Sequence, residues 1–143
     1  MKRTTRIPEI GPLELRLLRI LWKNHPSTAR QVLDGYNRKS DKKIKYTTVM
    51  TLLTRLAEKQ ILKVDKSRQP FLFAPLVTRE QLLRQRVREF VELFFDGQPM
   101  DLAVRLVEEG PLSDEEIRRL EACLGRMREP ASEAGSEVDD NNE

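Results

Sequence analysis

Four threonines and an arginine carry the most suggestive chemistry in this chain. Thr47, Thr48, Thr51, Thr54 and Arg55 are interleaved with Val49, Leu52, Leu53 and Leu56, which recur at the spacing of one helix face. With that stripe buried, Thr48, Met50, Thr51, Thr54, Arg55 and Glu58 lie on the other faces, a surface of short hydroxyl side chains and one guanidinium. Such a surface can approach a DNA duplex closely. Threonine hydroxyls can bond phosphates or base edges, threonine methyls can touch thymine, and an arginine can serve a guanine edge or a phosphate. Threonine is a poor helix former, so its repetition points to use rather than to helix stability.

Catalytic chemistry has little to draw on. His25 is the sole histidine and Cys123 the sole cysteine, so no nucleophile and base pair or metal-ligand set can be assembled, and no glycine-rich phosphate loop is present. The expectation is a protein that is not an enzyme and needs no cofactor. His25 precedes Pro26 in a turn between helices and is expected at the surface or in a capping role. Cys123 falls on an apolar helix face and is expected to be a buried structural thiol, with no intrachain disulfide possible.

The net charge of +3 hides a strong division. Residues 1–78 hold 17 basic and 6 acidic residues, or +11; residues 79–129 hold 9 and 12, or −3; residues 130–143 hold 0 and 5, or −5. Only the first part favours a polyanion, and a basic domain joined to an acidic one suggests nucleic acid on one side and protein contacts on the other. Neither a secretory signal nor an apolar run near the roughly 20 residues that span a bilayer is evident, so a cytoplasmic protein without a membrane partner is expected.

The elements that position the threonines follow from periodicity. Leu13, Leu17, Ile20 and Leu21 predict a helix beginning at Gly11-Pro12 and stopping near Asn24, ahead of Pro26. Ser27 or Thr28 can cap a second helix carrying Ala29, Val32, Leu33 and Tyr36. A basic loop over 37–45 leads to the third helix, for which Thr47 can serve as cap. Residues 61–65 and 71–73 read as a hairpin with a basic tip at Lys66, Ser67 and Arg68, and Pro70 and Pro75 bound the second strand, which places it at a sheet edge or ends it early. Three short helices followed by a hairpin is the winged helix-turn-helix order, in which the third helix enters the major groove and the wing lies on the backbone.

Thr78 and Gln81 form a capping box for a long helix ending at Asp96-Gly97, with Leu83, Val87, Phe90, Val91 and Phe94 as its stripe. A shorter helix spans 99–109 and bears Met100, Ala103, Leu106 and Val107. Ser113 and Glu116 cap a last helix bearing Ile117, Leu120, Leu124 and Met127. So small a helical core is marginal alone, and pairing with a second copy would stabilise it; the alternative is that these helices fold back on the winged domain within one monomer. Residues 130–143 are acidic, without apolar periodicity, and are expected to be a disordered tail.

Three segments resemble the penicillinase-repressor family over roughly residues 10–127: Pro12-Leu13-Glu14-Leu15 through Leu21-Trp22, Tyr46-Thr47-Thr48-Val49-Met50-Thr51-Leu52-Leu53-Thr54-Arg55-Leu56, and Leu112-Ser113-Asp114-Glu115-Glu116-Ile117. The resemblance implies a homodimeric transcriptional repressor on a near-palindromic, inverted-repeat double-stranded DNA operator. Thr47, Thr48, Met50, Thr51, Thr54 and Arg55 then make base and phosphate contacts beside Lys45 and Tyr46. Lys66, Ser67 and Arg68, with Arg3, Arg6, Lys42, Lys43 and Lys45, hold the DNA backbone. Leu83, Val87, Phe90, Val91, Phe94, Leu106, Ile117, Leu120 and Leu124 form the dimer interface. In the β-lactamase branch a sensor protease leads to a cut in the dimerisation helices. The family's Asn-Phe cleavage pair falls here at Arg105-Leu106, a departure from that pattern, and the tail lacks the Cys-x-Cys motifs of the copper-responsive branch.

The expected architecture is therefore mainly α: a winged-helix DNA-binding domain over 1–77, a three-helix dimerisation segment over 78–129, and the acidic tail over 130–143. The competing reading is a winged-helix adaptor that binds proteins and no specific DNA. An adaptor has no need of Arg55, Lys66 and Arg68 on the surface that bears the threonines.

Overall fold

The computed structural model describes residues 6–134, with only the backbone of 129–134. It is mainly helical, with a two-stranded antiparallel sheet, in the order α1 (Pro12–Lys23), α2 (Ala29–Lys39), α3 (Tyr46–Glu58), β1 (Leu62–Asp65), β2 (Leu72–Pro75), α4 (Arg79–Phe95), α5 (Pro99–Glu109) and α6 (Asp114–Ala134). Local chemistry explains most boundaries. Pro12 opens α1, where the Glu14 carboxylate accepts the Gly11 N–H at 2.8 Å. Thr28, rather than Ser27, caps α2 through a reciprocal box with Gln31. The boxes expected at Thr78 with Gln81 and at Ser113 with Glu116 are both formed. α4 ends where Asp96 and Gly97 take φ of 49° and 76°.

The core of the first unit comes from the expected stripes. Leu17, Leu18 and Leu21 of α1 meet Val32, Leu33 and Tyr36 of α2, Val49, Leu52, Leu53 and Leu56 of α3, and Ile61 and Phe73 from the hairpin. Each fully buried leucine contributes about 1.5–3 kcal/mol relative to exposure. The hairpin pairs Leu62 with Pro75 through Asp65 with Leu72. Ser27 adds a third partner: its N–H donates to Phe73 O at 3.0 Å, and its carbonyl accepts from Phe73 N at 2.8 Å. That bridge ties the α1–α2 connection to the wing, while the Ser27 hydroxyl donates to Asn24 O at 2.6 Å, back towards the end of α1.

Two boundaries differ from expectation. Thr47 does not cap α3, because the helix starts earlier, with Lys45 at the N-cap and Tyr46 in the first turn. The division between compact units falls between Leu93 and Phe94, inside α4, instead of at 77/78. α4 adheres to the first unit because Leu82 is buried in its core. The Gln85 amide also brackets Ile7, accepting its N–H at 2.9 Å and donating to its carbonyl at 3.0 Å.

The second unit comprises the end of α4, α5 and α6. No described residue from 92 to 128 is buried. Cys123 is accordingly exposed, against the expectation of a buried thiol, because no described residue buries that face of α6. Backbone helix continues through Pro130 to Ala134, so the first five residues of the expected disordered tail are helical, as the alanines and glutamate at 131, 133 and 134 favour. The rest of that tail, 135–143, lies outside the described residues, as does Arg3.

Candidate nucleic-acid interface

α3 is held by its apolar stripe and offers the opposite side to solvent. Val49, Leu53 and Leu56 are fully buried, while Lys45, Tyr46, Thr47, Thr51, Thr54 and Arg55 are exposed and Thr48 and Met50 half-buried. Thr47, Thr51 and Thr54 stand one turn apart along this side. Because Thr47 is not spent as a cap, its hydroxyl is available on the same face. Glu58 closes the row, and Arg55 lies beside it on the shallow groove that Met50, Thr51 and Thr54 also line. The helix dipole adds partial positive charge at the Lys45 end, which favours phosphate there.

The loop ahead of α3 is fixed by Asn37. Its side chain accepts the Ile44 N–H at 2.9 Å and donates to the Ile44 carbonyl at 3.2 Å. Lys43 donates from Nζ to Asn37 O at 3.1 Å, so its cation is drawn towards the end of α2. Arg30, in the first turn of α2, lies 5.0 Å from the Tyr46 ring centroid. Sequence reading missed Arg30; its only signal was a cation at an exposed helix start, and the stacking on Tyr46 joins residues 16 apart in the chain.

The wing tip is organised by Asp65. Its carboxylate accepts from the Ser67 hydroxyl at 2.6 Å and the Ser67 N–H at 3.0 Å. These bonds, with Arg68 and Lys63 nearby, hold the Asp65 carboxyl below its ordinary pKa against a smaller opposing effect of burial. The Lys66 ammonium lies 5.9 Å from the Phe71 ring centroid, and Arg68 is exposed. The Ser67 hydroxyl proton is committed to Asp65, which leaves its oxygen as an acceptor.

Two expected backbone-holding cations are placed elsewhere. Arg6 pairs with Glu89 of α4 at 2.7 Å. Burial raises the Glu89 pKa, but the Gln85 amide, Arg6 and Arg86 together outweigh it and leave the carboxyl lowered. Lys42 lines a separate cleft with Arg16 and Arg79.

A second buried interaction sets α3 against α1. Lys59, the residue after α3, reaches Glu14 Oε1 at 3.0 Å and Glu9 O at 2.8 Å. Glu14 is only 4% exposed. A carboxylate so placed is retained because the Gly11 N–H and the Lys59 ammonium both satisfy it.

Comparison with known proteins bears on the whole arrangement. The penicillinase repressor family model matches residues 10–126. The chain is 26% identical over 119 residues to the penicillinase repressor of Bacillus licheniformis, covering 83% of this chain and 91% of that one. It is 25% identical over 118 residues to the methicillin resistance regulatory protein MecI of Staphylococcus aureus strain N315, covering 82% and 94%. Among solved structures, it is similar to monomeric BlaI of Bacillus licheniformis in complex with the blaP half-operator, at 25% identity and a TM-score of 0.44 over 52% of this chain and 89% of that chain. With the family model spanning most of its length, the chain belongs to the penicillinase repressor family, whose members are DNA-binding transcriptional repressors and not enzymes.

Proposed function

We propose that this DNA-binding repressor acts as a homodimer on a near-palindromic operator, each copy presenting α3 to one major groove. The observation that carries the reading is the exposed row of Thr47, Thr51, Thr54 and Arg55 on a helix whose other side is locked into the core. A rigidly held helix with short hydroxyls can follow base edges closely, and two-fold protein symmetry requires an inverted repeat. Lys45, Tyr46, Thr48 and Met50 extend that surface, and Lys66, Ser67 and Arg68 supply the wing. Family membership supports repression as the outcome.

Dimerisation is supported by apolar side chains exposed at helical spacing. Leu83 and Val87 of α4 are 44% and 48% exposed. Phe90 and Phe94 continue their stripe, and Leu106, Ile117, Leu120 and Leu124 are also exposed. Val91, expected in the same interface, is already buried within one chain and contributes to packing there. A second copy covering these faces would remove the apolar surface from water. The reading places the chain in the cytoplasm with its operator, and no helix among the described residues is long and apolar enough to cross a membrane.

Relief of repression by a sensor protease is the finer part of this proposal. Arg105 and Leu106 lie in the middle of α5, where Arg105 makes only an exposed pair with Glu109 at 3.5 Å. Such a helix can open locally to a protease more readily than α3.

In-vitro selection of random duplexes by the full chain, with the mass of the complex measured in solution, tests the proposal. Enrichment of an inverted repeat bound by two chains supports it. A monomer, or salt-sensitive binding with no enriched sequence, overturns it in favour of an adaptor.

A further inference from the structure

Between α1, the end of α2 and the start of α4 lies an open cleft of about 1220 Å³ that the DNA-facing helix does not use. Six cations surround it: Arg16, Arg19, Lys23, Lys39, Lys42 and Arg79. Asp41 is the only acid lining it. None of the six forms an ion pair among the described residues, although the same unit pairs Arg6, Lys59, Arg84 and Arg86 with carboxylates. Solvated basic helix faces are common. A ring of unneutralised cations around a concave apolar floor is less so, because mutual repulsion opposes it.

The floor is built and partly rigid. Trp22 is fixed by its indole N–H donating to Val77 O at 2.8 Å. Ile20 and Tyr36 complete the floor, and Tyr36 is buried with its hydroxyl accepting from Arg16 at 3.4 Å. Gly35 lets α1 and α2 approach here, since a Cβ at that position would stand 3.3 Å from Ile20 Cγ2. Hydrogen bonds with the Ser40 hydroxyl and then the Arg16 guanidinium hold the Tyr36 phenol below its ordinary pKa against the opposing effect of burial, with smaller contributions from the charges of Arg16 and Lys42.

We infer that this cleft is a binding site for a small amphipathic anion, a carboxylate carried on an aromatic or aliphatic body. The body rests on Trp22 and Ile20 while the carboxylate takes charge-assisted hydrogen bonds from Arg16 and its neighbouring cations. DNA backbone offers charge without an apolar body and gives no account of the floor. The inference concerns ligand binding alone and stands whether or not the chain recognises an operator.

Trp22 is the only tryptophan in the chain, so its fluorescence reports on this cleft directly. The full chain is titrated with 3-phenylpropionate, with the neutral 3-phenylpropanamide and with inorganic phosphate. The expected result is a saturable change in Trp22 emission with the acid and none with the amide or phosphate. Arg16→Gln and, independently, the exposed Arg79→Glu each weaken the acid by about tenfold or more, the loss of one charge-assisted hydrogen bond or charge pair. Lys63→Glu, which makes the same change in net charge as Arg79→Glu but on the wing strand, leaves it unaltered. Circular dichroism establishes that each variant is folded, and Arg79→Glu tests the idea even if Arg16→Gln disturbs Tyr36. No saturable response, equal responses to acid and amide, or equal weakening by Lys63→Glu overturns the inference.

Discussion

Asn37 pairs with both backbone polar groups of Ile44, its Oδ1 accepting the Ile44 N–H at 2.9 Å and its Nδ2 donating to the Ile44 carbonyl at 3.2 Å. This one side chain joins the end of α2 to the residue that leads into α3. The α3 N-cap itself, Lys45, makes no side-chain cap hydrogen bond.

Removing that grip should therefore cost stability and DNA affinity together. Asn37→Ala leaves the Ile44 N–H and carbonyl, both partly buried, without their partner, and a loss of about 1–3 kcal/mol is expected in urea unfolding. Asn37→Asp keeps the acceptor and loses the donor, so it should fall between the wild type and Asn37→Ala. If Asn37→Ala unfolds at the wild-type urea concentration, the contact is ornamental.

Glu14 and Lys59 make a buried pair of unequal members: the Glu14 side chain is 5% exposed and that of Lys59 27%. Lys59→Met strands the carboxylate, and a destabilisation of about 2 kcal/mol is expected, less than for a fully buried pair because Lys59 reaches solvent. Glu14→Gln retains an oxygen for the Gly11 N–H and should cost less. Equal losses for the two variants would show that the charge is immaterial.

Gln60 turns the chain from α3 into β1 with φ of 63°, while Ile61 N donates to Leu56 O at 2.9 Å. A left-handed conformation is disfavoured for side chains branched at Cβ. Gln60→Val should destabilise by about 1–2 kcal/mol, whereas Gln60→Gly should be neutral or slightly stabilising. Thermal unfolding distinguishes them, and identical melting of the two variants would contradict the strain argument.

The wing tip should respond to acid through Asp65. Its folded pKa lies below the unfolded value, so the contribution of the Ser67 turn is complete above the ordinary carboxylate range and is lost as pH falls through the lower, folded pKa. In an NMR titration the Ser67 amide should shift in that acid window in the wild type and stay flat in Asp65→Asn.

How much of this was readable beforehand depends on range along the chain. The helices, the capping boxes at Thr78 and Ser113, a cap at Ser27 or Thr28, and the Asp96-Gly97 stop follow from residues within a few positions of one another. The exposed face of α3 follows from the buried one, since Val49, Leu52, Leu53 and Leu56 fix the rotation of the helix. What sequence could not supply was pairing between distant residues: Ser27 with Phe73, Glu14 with Lys59, Arg6 with Glu89. Each rests on tertiary approach of groups whose local surroundings give no sign of a partner. Arg6 shows the consequence, since nothing local to a cation near a basic terminus signals a carboxylate partner 83 residues away.

That distinction leads to the sharpest test of the interface. On the duplex obtained by selection, Lys66→Ala and Arg68→Ala should weaken binding alike for every sequence and each reduce the slope of log affinity against log salt by about 1, since each removes one phosphate contact. Arg55→Ala should instead lose about 1–3 kcal/mol at particular base pairs and flatten the preference there, as expected for a side chain that reads a base edge. Arg6→Ala should leave the salt slope unchanged and lower stability slightly, because its partner is Glu89, and an exposed pair of this kind is worth at most about 1 kcal/mol. A salt slope that falls with Arg6→Ala but not with Arg68→Ala would move the phosphate track from the wing to the face that carries α4, and the docking of α3 would have to turn with it.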